Sequence, residues 1–178
     1  MTSLRKINNL LELFLIQYKK TNNKKKILLS SLKDKKNYSW QDTYEFINSV
    51  SEEIKKYNHP GDRCLIISEN RPEWFISDLS IMLAGSITVP AYTTYSDKDY
   101  EFIIDDCTPS VIFVSNIEQY NKIKEIIKNK TFIKKIFSFE NLNGVNKEKY
   151  ENINNLFNDK KKIDFFSKID FSRNDLAC

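Results

Sequence analysis

P-G-D-R-C-L-I-I-S-E-N-R-P-E-W-F-I-S-D-L-S-I-M-L-A-G-S-I-T-V-P-A, residues 60–91, sets two short apolar runs on either side of one longer amphipathic segment. Pro60-Gly61-Asp62 is a turn signal. Cys64 to Ile67 then run without a polar residue, as in a strand buried on both faces. Glu69-Asn70-Arg71 turns the chain. Asn70 can cap a helix, and Pro72 suits its first turn, where an N–H has no partner to lose. Trp74, Phe75, Leu79, Ile81, Met82 and Leu83 give that helix a broad apolar face, and Gly85 stops it. Thr88 to Ala91 form the second strand, whose Pro90 marks a strand end or a sheet edge. Strand, helix, strand in this order is the parallel crossover unit.

The pattern continues in both directions. Downstream, Tyr92 to Ser96 is a polar-aromatic loop, and Ser96 with Asp99 opens a helix holding Tyr100, Ile103 and Ile104. Thr108-Pro109 ends it. Val111 to Val114 is a third buried strand, Tyr120, Ile123 and Ile127 mark another helix, and Ile136 to Phe139 is a fourth strand. Upstream, Leu4 to Lys20 has helical spacing, with Leu4, Ile7, Leu11, Leu15 and Tyr18 on one stripe. Lys26 to Ser31 is β-like, Asp34 to Asn37 turns, and Tyr38-Ser39 can pair back as a hairpin. Ser39 with Asp42 opens a helix that carries Tyr44, Ile47, Val50 and Ile54. The fold class is therefore α/β: a partial, parallel, doubly wound sheet with flanking helices, preceded by an N-terminal helix. Three regions follow: an N-terminal helix and short strand (1–36), an α/β core (37–140), and a loosely structured connector with one short helix (141–178).

Composition narrows the function. The 178 residues are 40% hydrophobic and 29% charged, ordinary for a soluble domain. Lys, Asn, Ile, Phe and Tyr are heavy, the signature of AT-rich codons. The formal charge of +4 is unevenly spread: net +6 over residues 1–60, −7 over 61–118 and +5 over 119–178. The lysines run beside asparagines, as in solvated loops, and the best-patterned segment is acidic, so no nucleic-acid partner is expected. Cys64, Cys107 and Cys178 lack C-x-x-C spacing and His59 stands alone, so no metal site and no disulfide framework are expected. That fits a reducing, cytoplasmic setting. Leu10 to Ile16 is nearly all apolar, but Glu12 interrupts it and no small-residue cleavage site follows, which disfavours a signal peptide. No run approaches the length of a membrane span. The segment reads as an amphipathic helix that packs on a core or on a partner subunit.

Few residues advertise chemistry. Three glycines cannot build a glycine-rich phosphate loop, and there is no G-x-S-x-G elbow. A Ser-His-Asp constellation could run only through His59, in a turn before a strand. Asp105-Asp106 reads as solvated charge at a helix end. Asn70 to Trp74 could present a substrate-binding Arg71, or form a helix start with an Arg71–glutamate ion pair and a buried Trp74. The Tyr92–Ser96 loop follows the C-terminal end of a strand, where open α/β sheets take their ligands; the alternative is a helix-capping loop.

Together these stretches resemble AMP-forming acyl-CoA synthetases, most of all the long-chain fatty-acid–CoA ligases. Tyr38-Ser39-Trp40, Pro60 to Arg63, Glu69 to Trp74 and Gly85 to Pro90 follow the order of the family's Y-S/T-W, P-G-D-R-V, E-N-R-P-E-W and G-x-x-x-V-P elements. Ile104-Asp105-Asp106 and Val111 to Val114 resemble the next pair, and the likeness is strongest over residues 38–120. It implies the N-terminal part of the large domain of an adenylate-forming enzyme. Arg173, Asp175, Leu176 and Ala177 resemble the family's R-x-D-L-A-x approach to its Y-T-S-G-T-T-G-x-P-K-G phosphate loop. The resemblance thus implies that the loop and the later catalytic lysine lie beyond Cys178, that no catalytic residue falls on these 178 residues, and that they are inactive by themselves. It implies ATP, Mg2+ and CoA for the whole enzyme, with none held tightly by these residues alone, and a fatty acid as substrate. Tyr92, Thr93 and Thr94 correspond to a loop near the CoA nucleotide in related members, some of which carry glycines there. A homodimer contact through the N-terminal helix and peripheral association with a membrane are further implications. The competing readings are a stand-alone nucleotide- or CoA-binding module and a non-catalytic partner that lends a surface to another chain.

Overall fold

A computed structural model describes residues 7–143, 145 and 149–158. In chain order the elements are α1 (Leu10–Lys20), β1 (Ile27–Ser30), β2 (Asn37–Ser39), α2 (Trp40–Ile54), β3 (Arg63–Ile67), α3 (Pro72–Leu83), β4 (Ile87–Ala91), α4 (Asp97–Cys107), β5 (Val111–Val114), α5 (Ile117–Ile127), β6 (Lys135–Ser138), β7 (Tyr150–Asn152) and α6 (Ile153–Asn158). β1 and β2 form an antiparallel hairpin. The other five strands form one parallel sheet in the order β4-β3-β5-β6-β7.

Local chemistry explains the element boundaries. Ser39 and Asp42 make a reciprocal capping box at the start of α2, and Ser96 and Asp99 make another at α4, so two orphan amides are satisfied at each. Gly85 takes φ +79 just past α3, a left-handed conformation that ends a helix without a Cβ clash. Pro90 sits on β4, an edge strand, as a residue without an N–H should.

The apolar runs bury both faces of the sheet. Cys64, Ile66, Val111, Phe113 and Phe137 lie beneath Val50 and Ile54 of α2 and Ile81 of α3. Leu65, Ile67, Ile112 and Val114 lie beneath Tyr100 and Ile104 of α4 and Ile123 and Ile127 of α5. All four apolar residues of β3 are fully buried; each such aliphatic side chain stabilises the fold by roughly 1.5–3 kcal/mol. A second layer sits outside α2 and α3, where Leu11, Phe14 and Leu15 of α1 pack against Ile47, Ile76, Leu79 and Leu83.

The structure departs from the sequence reading in four places. The first helix begins at Leu10, because Asn9 caps it and accepts from the Glu12 amide at 2.9 Å; Ile7 precedes the helix, and Leu4 lies outside the described residues. Arg71, not Asn70, occupies the N-cap position of α3, and its side chain makes no cap bond. Trp74 is half-buried rather than buried. Within the stretch read as a connector, β7 adds a fifth parallel strand, pairing Ile136 with Tyr150 and Ser138 with Asn152. The Arg173–Ala177 approach and Cys178 lie outside the described residues.

Candidate functional site

In a parallel sheet every strand delivers its following loop to the same side. Here the last paired row runs Ala91, Ile67, Val114, Ser138 and Asn152 across the sheet. β3 connects to β4 on one side, while β5, β6 and β7 extend on the other. The winding therefore reverses between β3 and β5, and the loops beyond their C-terminal ends flank the crevice that such sheets use for ligands.

Arg71 organises this end. Its Nε donates to Glu73 at 2.9 Å, and its Nη1 reaches Glu140 at 2.8 Å and Glu69 at 3.5 Å. Its Nη2 donates to Asp34 of the hairpin at 3.2 Å. The guanidinium also lies over the Phe139 ring, 5.6 Å from its centroid. One cation thus ties together the hairpin, the β3–α3 turn, the first turn of α3 and the segment after β6. Glu73 is fully buried and also accepts from the Tyr38 hydroxyl at 2.7 Å. Burial alone would raise the Glu73 carboxyl, but hydrogen bonds from Arg71, Tyr38 and its own backbone N–H outweigh it and hold the group below the usual range. Burial opposes the charge on Arg71 as well, and the bonds to Glu73 and Glu140 outweigh that and raise its pKa. The Tyr38 hydroxyl is pushed far up by burial and by its bond to Glu73. The ion-pair reading of Asn70–Trp74 is the one found: Arg71 is committed to four carboxylates.

Beside this hub a cleft of about 510 Å³ opens between the hairpin and the start of α3, walled by Leu29, Leu32, Pro72 and Phe75. On the other side of β3, the Tyr92–Ser96 loop follows β4. Tyr92 is 72% exposed, with its ring edge-on to Tyr95 at 5.5 Å. Its carbonyl accepts from the buried Tyr100 hydroxyl at 2.8 Å. The Thr93 carbonyl accepts from Lys122 of α5, and Thr94 is exposed. Tyr92, Thr93 and Thr94 are thus at the C-terminal ends of the strands, the same side of the sheet as the Arg71 hub but outside it. Lys122 and Glu140 escaped sequence reading, because each reaches the site from a distant element; their only local signal is a position just after, or one turn into, the segment beyond a buried strand. Ser115 Oγ, immediately after β5, and Gln119 Oε1, in the first turn of α5, are buried without a hydrogen-bond partner.

The remaining candidates sit elsewhere. His59 lies in the turn before β3, at the opposite end of the sheet, where its amide donates to Asp62 at 2.8 Å. Asp105 and Asp106 are exposed at the end of α4, with Lys130 on Asp105. Cys64 and Cys107 are free thiols, pushed up to about 12 and about 11 by burial. Among the described residues no group of His, Cys, Asp and Glu is placed to hold a metal ion, and no helix is long and apolar enough to cross a membrane.

Comparison with known proteins gives this geometry a context. Residues 16–177 match the family described as AMP-binding enzyme. A stretch of 75 residues is 35% identical to the rat long-chain-fatty-acid–CoA ligase ACSBG1, covering 42% of this chain and 10% of that ligase. The chain therefore matches only a small part of its curated relatives' length. Among solved structures, a coronafacic acid ligase from Pectobacterium brasiliense superposes with a TM-score of 0.75 at 17% identity, over 86% of this chain and 30% of that one. An anthranilate CoA ligase in complex with anthranoyl-AMP superposes with a TM-score of 0.66 at 19% identity, over 83% of this chain and 27% of its own. At such identities the likeness is one of fold.

Proposed function

We propose, from the premise that this chain belongs to the AMP-binding enzyme family, that it is the N-terminal part of the large domain of a long-chain fatty-acid–CoA ligase. The family is one of AMP-forming ligases; the observation that carries the finer reading is the 35% identity to a long-chain ligase over 75 residues. The whole enzyme would join a fatty carboxylate to the α-phosphate of ATP, releasing pyrophosphate. The CoA thiol would then attack the acyl carbon and release AMP. The described residues offer no metal-holding group, so no step through Mg2+ is assigned to them. Their part in the reaction is architectural: the sheet and its Arg71 hub fix the loops on which the later elements would rest. The division into 1–36, 37–140 and 141–178 belongs to this proposal, with β7 joining the core sheet.

Tyr92, Thr93 and Thr94 would flank the CoA nucleotide, with Lys122 holding the loop through the Thr93 carbonyl. A homodimer contact through α1 would use its outer side at Leu10, 42% exposed, because Leu11, Phe14 and Leu15 are spent inside the subunit. The reaction is cytoplasmic in this reading.

The test is ATP–pyrophosphate exchange by the protein of the complete coding sequence, with carboxylic acids of graded chain length. Exchange with long-chain acids supports the proposal. Exchange only with aryl or short acids overturns the substrate class, and none with any acid overturns the ligase reading. Tyr92→Ala should raise the KM for CoA and leave the exchange reaction unchanged.

A further inference from the structure

The cleft beside the Arg71 hub has apolar walls with nothing over them. A two-stranded hairpin is marginally stable until other elements cover its apolar residues. Leu28 and Leu29 of β1 find cover in the layer with Ile47 and Ile76. Leu32, at the tip, finds none and is 96% exposed. It stands on the cleft wall with Leu29, together with Pro72 and the half-buried Phe75. The cleft, at about 510 Å³, is within the size of those that take a bound group, about 300–1,000 Å³. Its surroundings are balanced in charge. Asp34, Glu69, Glu73 and Glu140 bring four negative charges, and Arg71, Lys33, Lys35 and Lys36 bring four positive ones. Arg71 already meets all four carboxylates, so an anionic ligand would have to displace one of them. What the cleft offers an occupant is apolar area, edged by charges of both signs.

We propose that the occupant is a later segment of this same chain: I-D-F-F-S-K-I-D-F, residues 163–171, folds back over the cleft and sets the Phe165–Phe166 pair against Leu32 and Phe75. Position is the first argument. Phe157 of α6 stacks on Phe46 at 3.8 Å and stands edge-on to Tyr38 at 6.4 Å. The Tyr38 hydroxyl donates to Glu73, the neighbour of Pro72. The chain therefore passes Asn158 only two side-chain contacts away from the cleft wall. Reach is the second, because the seven residues from Asn158 to Phe165 span up to about 25 Å when extended. Chemistry is the third. Residues 159–171 hold five large apolar residues among four lysines and three aspartates, a nearly neutral, apolar stretch of the kind a balanced rim admits. Each apolar side chain covered there gains by leaving water. Another uncovered aromatic, Phe102, is 71% exposed on α4 among Asp97, Asp99, Glu101, Asp105 and Asp106. It lies across the sheet from α6, since α6 packs with α2 on one face and α4 with α5 on the other. That makes Phe102 the control surface.

The test is disulfide scanning in the full chain carrying Cys107→Ser and Cys178→Ser, which leaves only the buried Cys64. Leu32→Cys is combined in turn with Ile163→Cys, Phe165→Cys, Phe166→Cys, Lys168→Cys and Phe171→Cys, and the bonds formed in air are mapped by mass spectrometry. Linkage within one chain should peak at Phe165→Cys or Phe166→Cys. The same scan with Phe102→Cys in place of Leu32→Cys should show no peak. A second measurement needs no bond to form: maleimide labelling of Leu32→Cys should speed up about tenfold when Phe165→Ser and Phe166→Ser remove the cover. A flat scan, or an equal peak from Phe102→Cys, overturns the proposal, as does labelling indifferent to the phenylalanine variants. Linkage between chains that grows with protein concentration also overturns it, and gives the cleft to a second copy. None of these outcomes bears on the ligase reading, which the exchange assay decides separately.

Discussion

The two ends of the parallel sheet are held by different physics. At the N-terminal end, Asn58 donates to Cys64 Sγ at 3.1 Å and to Ser86 Oγ at 3.0 Å, and accepts from Ser110 Oγ at 2.7 Å. That neutral, buried network joins the turns before β3, β4 and β5, and the Gly61 amide donates to the Gly85 carbonyl at 2.8 Å to close it. At the C-terminal end the corresponding joints are made by Arg71 and four carboxylates, with a cleft beside them. Neutral hydrogen bonds suit an end that only has to stay shut. Charges suit an end whose loops face solvent, because water can solvate the half-exposed Glu69 and Glu140 carboxylates that the guanidinium only partly engages.

The sharpest way to break this comparison is Arg71→Ala. It leaves the fully buried Glu73 with only the half-exposed Lys36 ammonium, 3.8 Å away, as a cation, and breaking a buried pair in this way costs about 3 kcal/mol. Urea unfolding at neutral pH should show that loss, while Asn58 variants should not approach it. Asn58→Ala comes next: it leaves hydroxyls at Ser86 and Ser110 short of a partner, at a cost of about 1–3 kcal/mol. Its deficit should be indifferent to salt.

pH separates the two ends further. The Glu73 carboxyl is held below its ordinary value, so its contribution is present above the unfolded pKa of about 4.3 and is lost as pH falls through the folded value. Wild-type stability should drop in that acidic window. The Arg71→Ala deficit should shrink there, since protonation relieves the stranded carboxylate. A deficit independent of pH would show that packing over Phe139, not charge, is what Arg71 supplies. Smaller again is Gly85→Ala, which forces a Cβ into φ +79 at a cost of about 1–2 kcal/mol. Ser96→Ala should cost about 1 kcal/mol through the lost capping box of α4; thermal melts resolve both.

The contrast between the ends also marks what sequence can disclose. The strands of the core, both capping boxes, the edge position of Pro90 and the stop at Gly85 are all local signals, carried by residues at most a few positions apart, and each appears where expected. The position of the Tyr92–Thr94 loop after the C-terminal end of β4 is likewise legible, because strand direction alone decides it. The hub was only half legible. Arg71 and Glu73 are two residues apart, but Asp34 is 37 and Glu140 is 69 residues from Arg71, and no periodicity connects them. β7 was missed for a related reason: Tyr150-Glu151-Asn152 has no apolar run, and it becomes a strand only because β6 offers it an edge. The polar character of the hairpin tip is visible as lysines in a loop, whereas the ion pair between Asp34 and Arg71 needs the fold.

Cys64 turns the closed end into a chemical clock. The thiol is completely buried, and burial pushes it up to about 12, so near neutral pH it is both shielded and protonated. The thiolate, not the thiol, attacks an alkylating reagent and displaces its leaving group, so labelling of Cys64 must wait for the Asn58 network to open. The labelling rate at rising reagent concentration would separate fraying of that end from unfolding of the whole sheet. Cys107, half-exposed on α4, would react before Cys64 and time the motion of the outer layer against it.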